Sequence, residues 1–402
     1  MIGYFDMQQI MRHHVWSKNS GIVRRAVGLL LIGVVSTGLF LVSASAVFSE
    51  EEGSYARVTR PCRLAFPVDH GAHPDYRTEW WYYTGNLETE EGRPFGFQLT
   101  IFRRQISPPE ARKKWPDPPS AWRTQQVYLG HAALTDIFDG RHFSAEDIAR
   151  GALQLAGVRQ TPDTTTIFLK RWRIRIGPGG HKLSASSNDF QLDLDLEPAK
   201  RVVLHGDRGY SRKGDSEERA SCYYSLTRLK SEGRLKLNER EYVVRGTGWM
   251  DHEFSTAPLQ PGIEGWDWFS LQLDGNSELM IYILRQSDGR PHPASSGTIV
   301  RANGETRHLS VNDFHMDVLA HWRSPHSGGL YPARWQLSVP AEKITLSIVP
   351  NLADQEMRTP GSTDVTYWEG SVSVDGQTDG ARVSGKGYIE LTGYAQAFKE
   401  LR

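Results

Sequence analysis

The sequence predicts an all-β fold of two antiparallel β-barrels in tandem, and three observations predict it. Beyond residue 60, short runs of alternating or aromatic character recur at close spacing, broken by Gly, Asn and Asp turn signals. One set of landmarks then occurs twice in the same order along the chain. Finally, long aromatic strands need closed edges, and closure into barrels supplies them.

Taken in order, "EWWYYTGNL" (79–87) and "GRPFGFQLTIFRR" (92–104) open the first repeat, the second with Phe95, Phe97, Leu99 and Ile101 on one side. "SPPEARKKWPDPPSAW" (107–122) is rich in proline and charge and reads as a long loop near a barrel mouth. "SAEDIARGALQLAG" (144–157) reads as a short helix, with Ser144 and Asp147 in a capping-box-like pattern. Strand signals resume through "TTTIFLKRWRIRI", "FQLDLDLEP", "YYSLTRL" and "REYVVRGTG". The second half continues with "WDWFSLQL", "ELMIYILR", "RWQLSVP", "KITLSIVP", "YWEGSVSV" and "GKGYIELTGY". The repeated landmarks are Trp81, Trp172, Tyr224 and Gly248, then Trp268, Trp335, Trp368 and Gly387. They divide the chain into barrel one, about 57–255, and barrel two, about 256–402.

Residues 1–50 stand apart. Lys18, Arg24 and Arg25 precede an uncharged run, 26–48, that contains Ala44-Ser45-Ala46. This is the pattern of a secretory signal, and the run is also long enough for a retained membrane anchor. Either reading sends the rest of the chain to an exported compartment, the periplasm or cell envelope. Export permits a disulfide between Cys62 and Cys222, the only two cysteines; two buried thiols are the alternative. Lys+Arg and Asp+Glu both total 47, so no basic excess points to nucleic acid.

Two stretches concentrate chemistry. In "FPVDHGAHPDYRTEWWYYTGNL" (66–87), His70 and His73 have H-x-x-H spacing that could hold a metal with Asp69. The supporting ligands are missing, so a hydrogen-bonded plug is expected and no metal is assigned. Arg77 and Glu79 point the same way along a strand and suit a structural ion pair; Trp80, beside them, helps close the barrel end. In "GTGWMDHEFST" (246–256), Asp251 aligns with Glu390 of the second repeat, whereas His252 aligns with Leu391. The unrepeated imidazole is the candidate for acid/base work, with Asp251 beside it. No G-x-S-x-G elbow occurs.

These motifs, with "HGDRGYSRKG", "SCYYSLTRL", "GWDWFSLQLDG" and "YPARWQL", resemble the AttH-like family of bacterial secreted proteins, grouped with the carotenoid 1,2-hydratases. The resemblance covers about residues 60–397. It implies two lipocalin-like barrels of the calycin type and an apolar, elongated ligand, a lipid or isoprenoid. It implies cofactor-free chemistry in which an alkene is protonated and water is added to the cation. His252 falls at the Asp-His motif of those enzymes, Phe254 at the following aromatic, and Tyr282 at a tyrosine of the next strand. Leu284 stands where a further carboxylate would be wanted.

The candidate catalytic set is therefore His252, Asp251 and Tyr282. Trp249, Phe254, Trp266, Trp268, Trp81 and Tyr82 are the candidate ligand-binding wall. The competing reading is a non-catalytic lipid carrier or envelope chaperone, with a membrane transporter as a candidate partner and membrane association through the N-terminal segment.

Overall fold

The computed structural model describes residues 55–397; the uncharged run 26–48 and its signal or anchor reading lie outside them. The strands are β1 (Thr78–Glu88), β2 (Pro94–Gln105), β3 (Gln126–Asp136), β4 (Arg141–Arg150), β5 (Ala156–Gln160), β6 (Thr165–Leu169), β7 (Trp172–Gly177), β8 (Gly180–Ser186), β9 (Phe190–Pro198), β10 (Val203–Leu204), β11 (Tyr210–Arg212), β12 (Ala220–Leu237) and β13 (Arg240–Ser255). A second series follows: β14 (Ile263–Leu273), β15 (Glu278–Gln286), β16 (Ser296–Val300), β17 (Thr306–Ser310), β18 (His315–Arg323), β19 (Leu330–Val339), β20 (Ile344–Pro350), β21 (Glu356–Thr359), β22 (Val365–Thr378) and β23 (Ala381–Leu391). The fold is all-β, two curled antiparallel sheets, as the strand spacing predicted.

The first sheet runs β4-β3-β2-β1-β13-β12-β9-β8-β7-β6-β5, and the second runs β17-β16-β15-β14-β23-β22-β20-β19-β18. Read from one end, the two orders match strand for strand, and the first sheet then adds β6 and β5. In the first sheet, β3 and β4 come back against β5 and β6, which curls the sheet into a barrel. The registers also repeat. Asp251 sits opposite Ser225 and Tyr82; Glu390 sits opposite Glu369 and Trp268. Two sequence-level pairings are corrected by this register. Trp268 is the partner of Tyr82, one residue along from Trp81. Trp335 lies on β19, the equivalent of β8, whereas Trp172 lies on β7.

The interiors are packed. Phe95, Phe97, Leu99 and Ile101 project inward with Trp81, Tyr83 and Trp172 in barrel one. Phe269, Trp335, Leu346 and Val372 do the same in barrel two. A third cluster, with Tyr82, Tyr223, Trp249, Trp268 and Tyr388, fills the seam between them. Side chains thus occupy both barrel centres, as in other small barrels.

The helix expected over 144–157 is not formed. Residues 144–150 belong to β4, a turn follows, and β5 begins at Ala156. Ten residues pair β4 with β3 in unbroken register, so ladder hydrogen bonds override the local capping signal. The loop between β2 and β3 carries one 3-10 turn, Pro109–Lys114, none of whose residues is buried. Cys62 and Cys222 are joined, with Cα atoms 6.0 Å apart.

Candidate active site

Strand alternation divides the "GWMDHEFS" stretch between two environments. On β13, Met250, His252 and Phe254 point one way, and Trp249, Asp251 and Glu253 the other. Asp251 and His252 are therefore neighbours in sequence with opposite facings, and the proposed proton-handling pair is taken apart.

The His252 face closes one end of barrel one. His252 Nε2 lies 2.9 Å from Glu79 Oε1, and its Nδ1 lies 2.9 Å from the Tyr224 hydroxyl. That hydroxyl also meets His70 Nδ1 at 2.7 Å. Glu79 accepts from His73 Nδ1 (2.8 Å) and from Arg103 Nε (2.7 Å), and His73 Nε2 meets Asp69 at 3.1 Å. Trp81 stacks on His252, and Phe254 stacks on His73 at 3.6 Å. Burial would raise the Glu79 carboxyl, but hydrogen bonds from His252 and His73 and the Arg103 charge hold it well below the usual range. Burial lowers His252, which stays neutral. His73 is raised, because Asp69 and Glu79 outweigh its burial.

Glu79 is thus ion-paired to Arg103, not to Arg77, whose backbone N–H is held by Thr256. Arg103 is on β2 with its side chain on the inner face beside Glu79, whereas a neighbour two residues along the same strand was the only partner visible in sequence. His73, Glu79 and His252 bring donor atoms within 4.8 Å of one another, the one such group among the described residues. His73, His252 and Arg103 already engage both Glu79 oxygens, so the group is a satisfied plug and we assign it no ion. His70 faces Tyr224, away from His73, so the H-x-x-H pair does not converge.

The Asp251 face opens into a cavity of about 240 Å³ between the barrels. Trp80, Tyr82, Phe102, Tyr223, Trp266, Trp268, Tyr282 and Tyr367 form most of its wall, and Asp251, Glu253, Glu369 and Glu390, against Lys213, Arg103 and Arg104, supply its charge. Asp251 accepts hydrogen bonds from Tyr223 (2.7 Å), Trp249 Nε1 (2.7 Å) and the Ser225 hydroxyl. Trp268 Nε1 in turn donates to Tyr223 at 3.0 Å. Burial nevertheless pushes Asp251 up to about 7. Burial also raises Glu369 and Glu390, which face each other across β22 and β23; the Glu390 charge raises Glu369 further, and the Asp251 and Glu253 charges raise Glu390. Glu253 pairs with Lys213 at 3.1 Å, and the Lys213 ammonium lies 3.9 Å over the Tyr282 ring.

Of the sequence-derived candidates, the cavity gathers Asp251, Tyr282, Trp266, Trp268 and Tyr82, with Trp249 directly behind Asp251. It excludes His252, Phe254 and Trp81, which serve the barrel-one plug. Trp80, expected to close the barrel end, lines the cavity instead. Glu253, Glu369, Glu390, Lys213, Tyr223 and Tyr367 were missed as site residues. For two of them the signal was available: Glu253 is two positions from Asp251, and Glu390 is the repeat counterpart of Asp251. Glu369 and Lys213 needed the strand pairing.

A family profile described as AttH-like matches residues 57–394, and the chain belongs to that family. The crystal structure of an AttH protein from Nitrosomonas europaea superposes with a TM-score of 0.74 at 34% identity, over 84% of this chain and 99% of that one. Kievitone hydratase from Nectria haematococca shares the fold, with a TM-score of 0.63 at 15% identity, over 85% of this chain and 96% of that one. The dehydratase asqC of Emericella nidulans is 19% identical over 217 residues, 52% of this chain; the match spans only 60% of that protein's length.

Proposed function

We propose that the chain adds water to, or removes it from, a carbon–carbon double bond of a lipophilic molecule bound between the barrels. The observation that carries this reading is a group of buried carboxyls of unequal proton affinity inside an aromatic wall. Alkene hydration needs an acid aimed at carbon, a base for water, and a surface that steadies the intermediate cation. The Glu369–Glu390 pair keeps a proton near neutrality and serves as the acid. Asp251, oriented by Tyr223, Trp249 and Ser225, serves as the base that takes a proton from water. The faces of Trp266, Trp268 and Tyr282 flank the cation. The proton leaves a carboxyl for one alkene carbon, water bonds to the other, and Asp251 receives the released proton. Dehydration is the same path reversed. No cofactor enters this scheme, and the hydratase and dehydratase names of two relatives agree with it.

The cavity has about the volume of eight waters at ~30 Å³ each, so it takes one end of an isoprenoid and not a whole carotenoid. Export to the periplasm or envelope, proposed from the N-terminal pattern, is supported by the Cys62–Cys222 disulfide. The test is incubation of wild type and Asp251→Asn with a panel of isoprenoid alkenes in ¹⁸O-labelled water. Label in an alcohol product from wild type, lost by about 10²-fold or more in the variant, is expected. Ligand bound by both and altered by neither would leave a lipid carrier as the function.

A further inference from the structure

We infer that the cavity-mouth end of barrel one docks on a phospholipid bilayer, so that lipophilic ligands enter from the membrane and not from water. Exposure along the cavity wall locates the mouth. Thr78 and Trp80 on β1, Phe102 and Arg104 on β2, and Trp266 on β14 are partly exposed, whereas Tyr82, Thr100 and Trp268, deeper on the same strands, are buried. The mouth therefore lies where β1 and β14 begin and β2 ends.

Exposed apolar side chains gather at this end. Phe66, Val68, Ile106, Trp122, Leu153 and Leu155 all sit on its loops or turns. The loops are joined: Arg150 donates to the Trp122 carbonyl at 3.3 Å, and Gln160 to the Val68 carbonyl at 2.6 Å. Exposed Arg112, Lys113, Lys114, Arg123 and Arg150 surround them, against Asp75, Asp117 and Glu110, the last of which pairs with Lys113. Tryptophan and aliphatic tips ringed by cations suit the headgroup region of a bilayer.

The start of the described chain gives a second, independent argument. Ala56 donates to Asp75 at 2.9 Å and accepts from Thr256 at 2.5 Å, which fixes this segment at the same end. Tyr55 comes seven positions after Phe48, the last residue of the uncharged run, a reach of at most about 25 Å. An anchored chain would hold this end, and not the opposite one, near the bilayer. Glu50, Glu51 and Glu52 lie in that link and work against an anionic surface. Apolar insertion therefore carries the contact, and headgroup charge adds to it.

The test uses the full chain in bilayer discs of phosphatidylcholine with phosphatidylglycerol. A single nitroxide is placed at Ser120→Cys in the loop, or at Asn303→Cys in the turn after β16, at the far end of barrel two. Collision with oxygen is expected to be roughly twofold higher at Ser120 than at Asn303, with matching protection from an aqueous nickel complex. Adding Ile106→Ser and Trp122→Ser should return the Ser120 label to the Asn303 level. Equal, aqueous behaviour at both sites would mean tethering without docking. A Ser120 label immobilised with no gain in oxygen contact would mean a protein partner. Either result overturns the inference.

Discussion

Asp251 and His252 show how one peptide bond separates two kinds of chemistry. Asp251 looks into an aromatic cavity, where burial lifts its affinity for a proton to about neutrality. His252 looks into a closed barrel end, where burial holds it neutral beside Glu79. If Asp251 is the base, it acts only when ionised, so turnover should fall as pH drops through about 7. If Glu369 and Glu390 hold the acid's proton, turnover should also fall at the higher pH where that proton is lost. A pH–rate profile for Asp251→Asn should lack the acidic limb, and one for Glu390→Gln should have an altered alkaline limb. The plug has a different signature. Glu79→Gln strands the buried Arg103 charge and should cost about 3–5 kcal/mol in denaturant unfolding. It should leave the midpoints of the pH profile in place, because Glu79 faces away from the cavity. A moved midpoint would show that the plug tunes the site.

Individual strands act as two-sided sorting devices. β1 sends Glu79, Trp81 and Tyr83 inward and Trp80 and Tyr82 to the seam, while β13 sends Met250, His252 and Phe254 inward and Trp249, Asp251 and Glu253 outward. A one-residue slip of either would exchange plug and cavity, so the continuous eleven-residue ladder between them sets both sites at once. Curling also depends on one small residue. A Cβ at Gly130 on β3 would lie 2.6 Å from Leu169 and 2.8 Å from Trp172, side chains on either side of the β6–β7 turn. Gly130→Val should therefore destabilise by roughly 1–3 kcal/mol through overpacking, measured by thermal or denaturant melts.

The seam holds the two sheets as a unit. Asn86 donates to the Gly387 carbonyl at 3.0 Å, Gln272 to the Thr227 and Gly248 carbonyls, and Glu278 of barrel two pairs with Arg228 and Lys200 of barrel one. The cavity exists only because these contacts fix one barrel wall against the other. The segment ahead of β1 is tied to the same body by the Cys62–Cys222 bridge, across 160 residues of sequence. Reduction, or Cys222→Ala, should lower unfolding free energy by about 2–5 kcal/mol, checked by denaturant titration with and without reductant. Unchanged stability would show that packing alone secures residues 55–77.

Amphipathic alternation, turn residues and a repeated order of aromatics determined the β class and the doubling, because period-two patterning is local and survives without contacts. Recurrence of an acid at 251 and 390 was also legible, since duplication writes it into the chain twice. The facing of each residue could be deduced only relative to its strand neighbours, so Trp80 and Trp81 were known to part company but not which one met the cavity. Tertiary structure alone decided that the barrel centres are full and the space lies between them. It alone brought Glu369, Lys213 and Arg103 to their partners, because those contacts depend on strand register and loop path, which local patterning does not fix. It also turned 144–150 into a strand, where ten residues of ladder outweigh one helix cap.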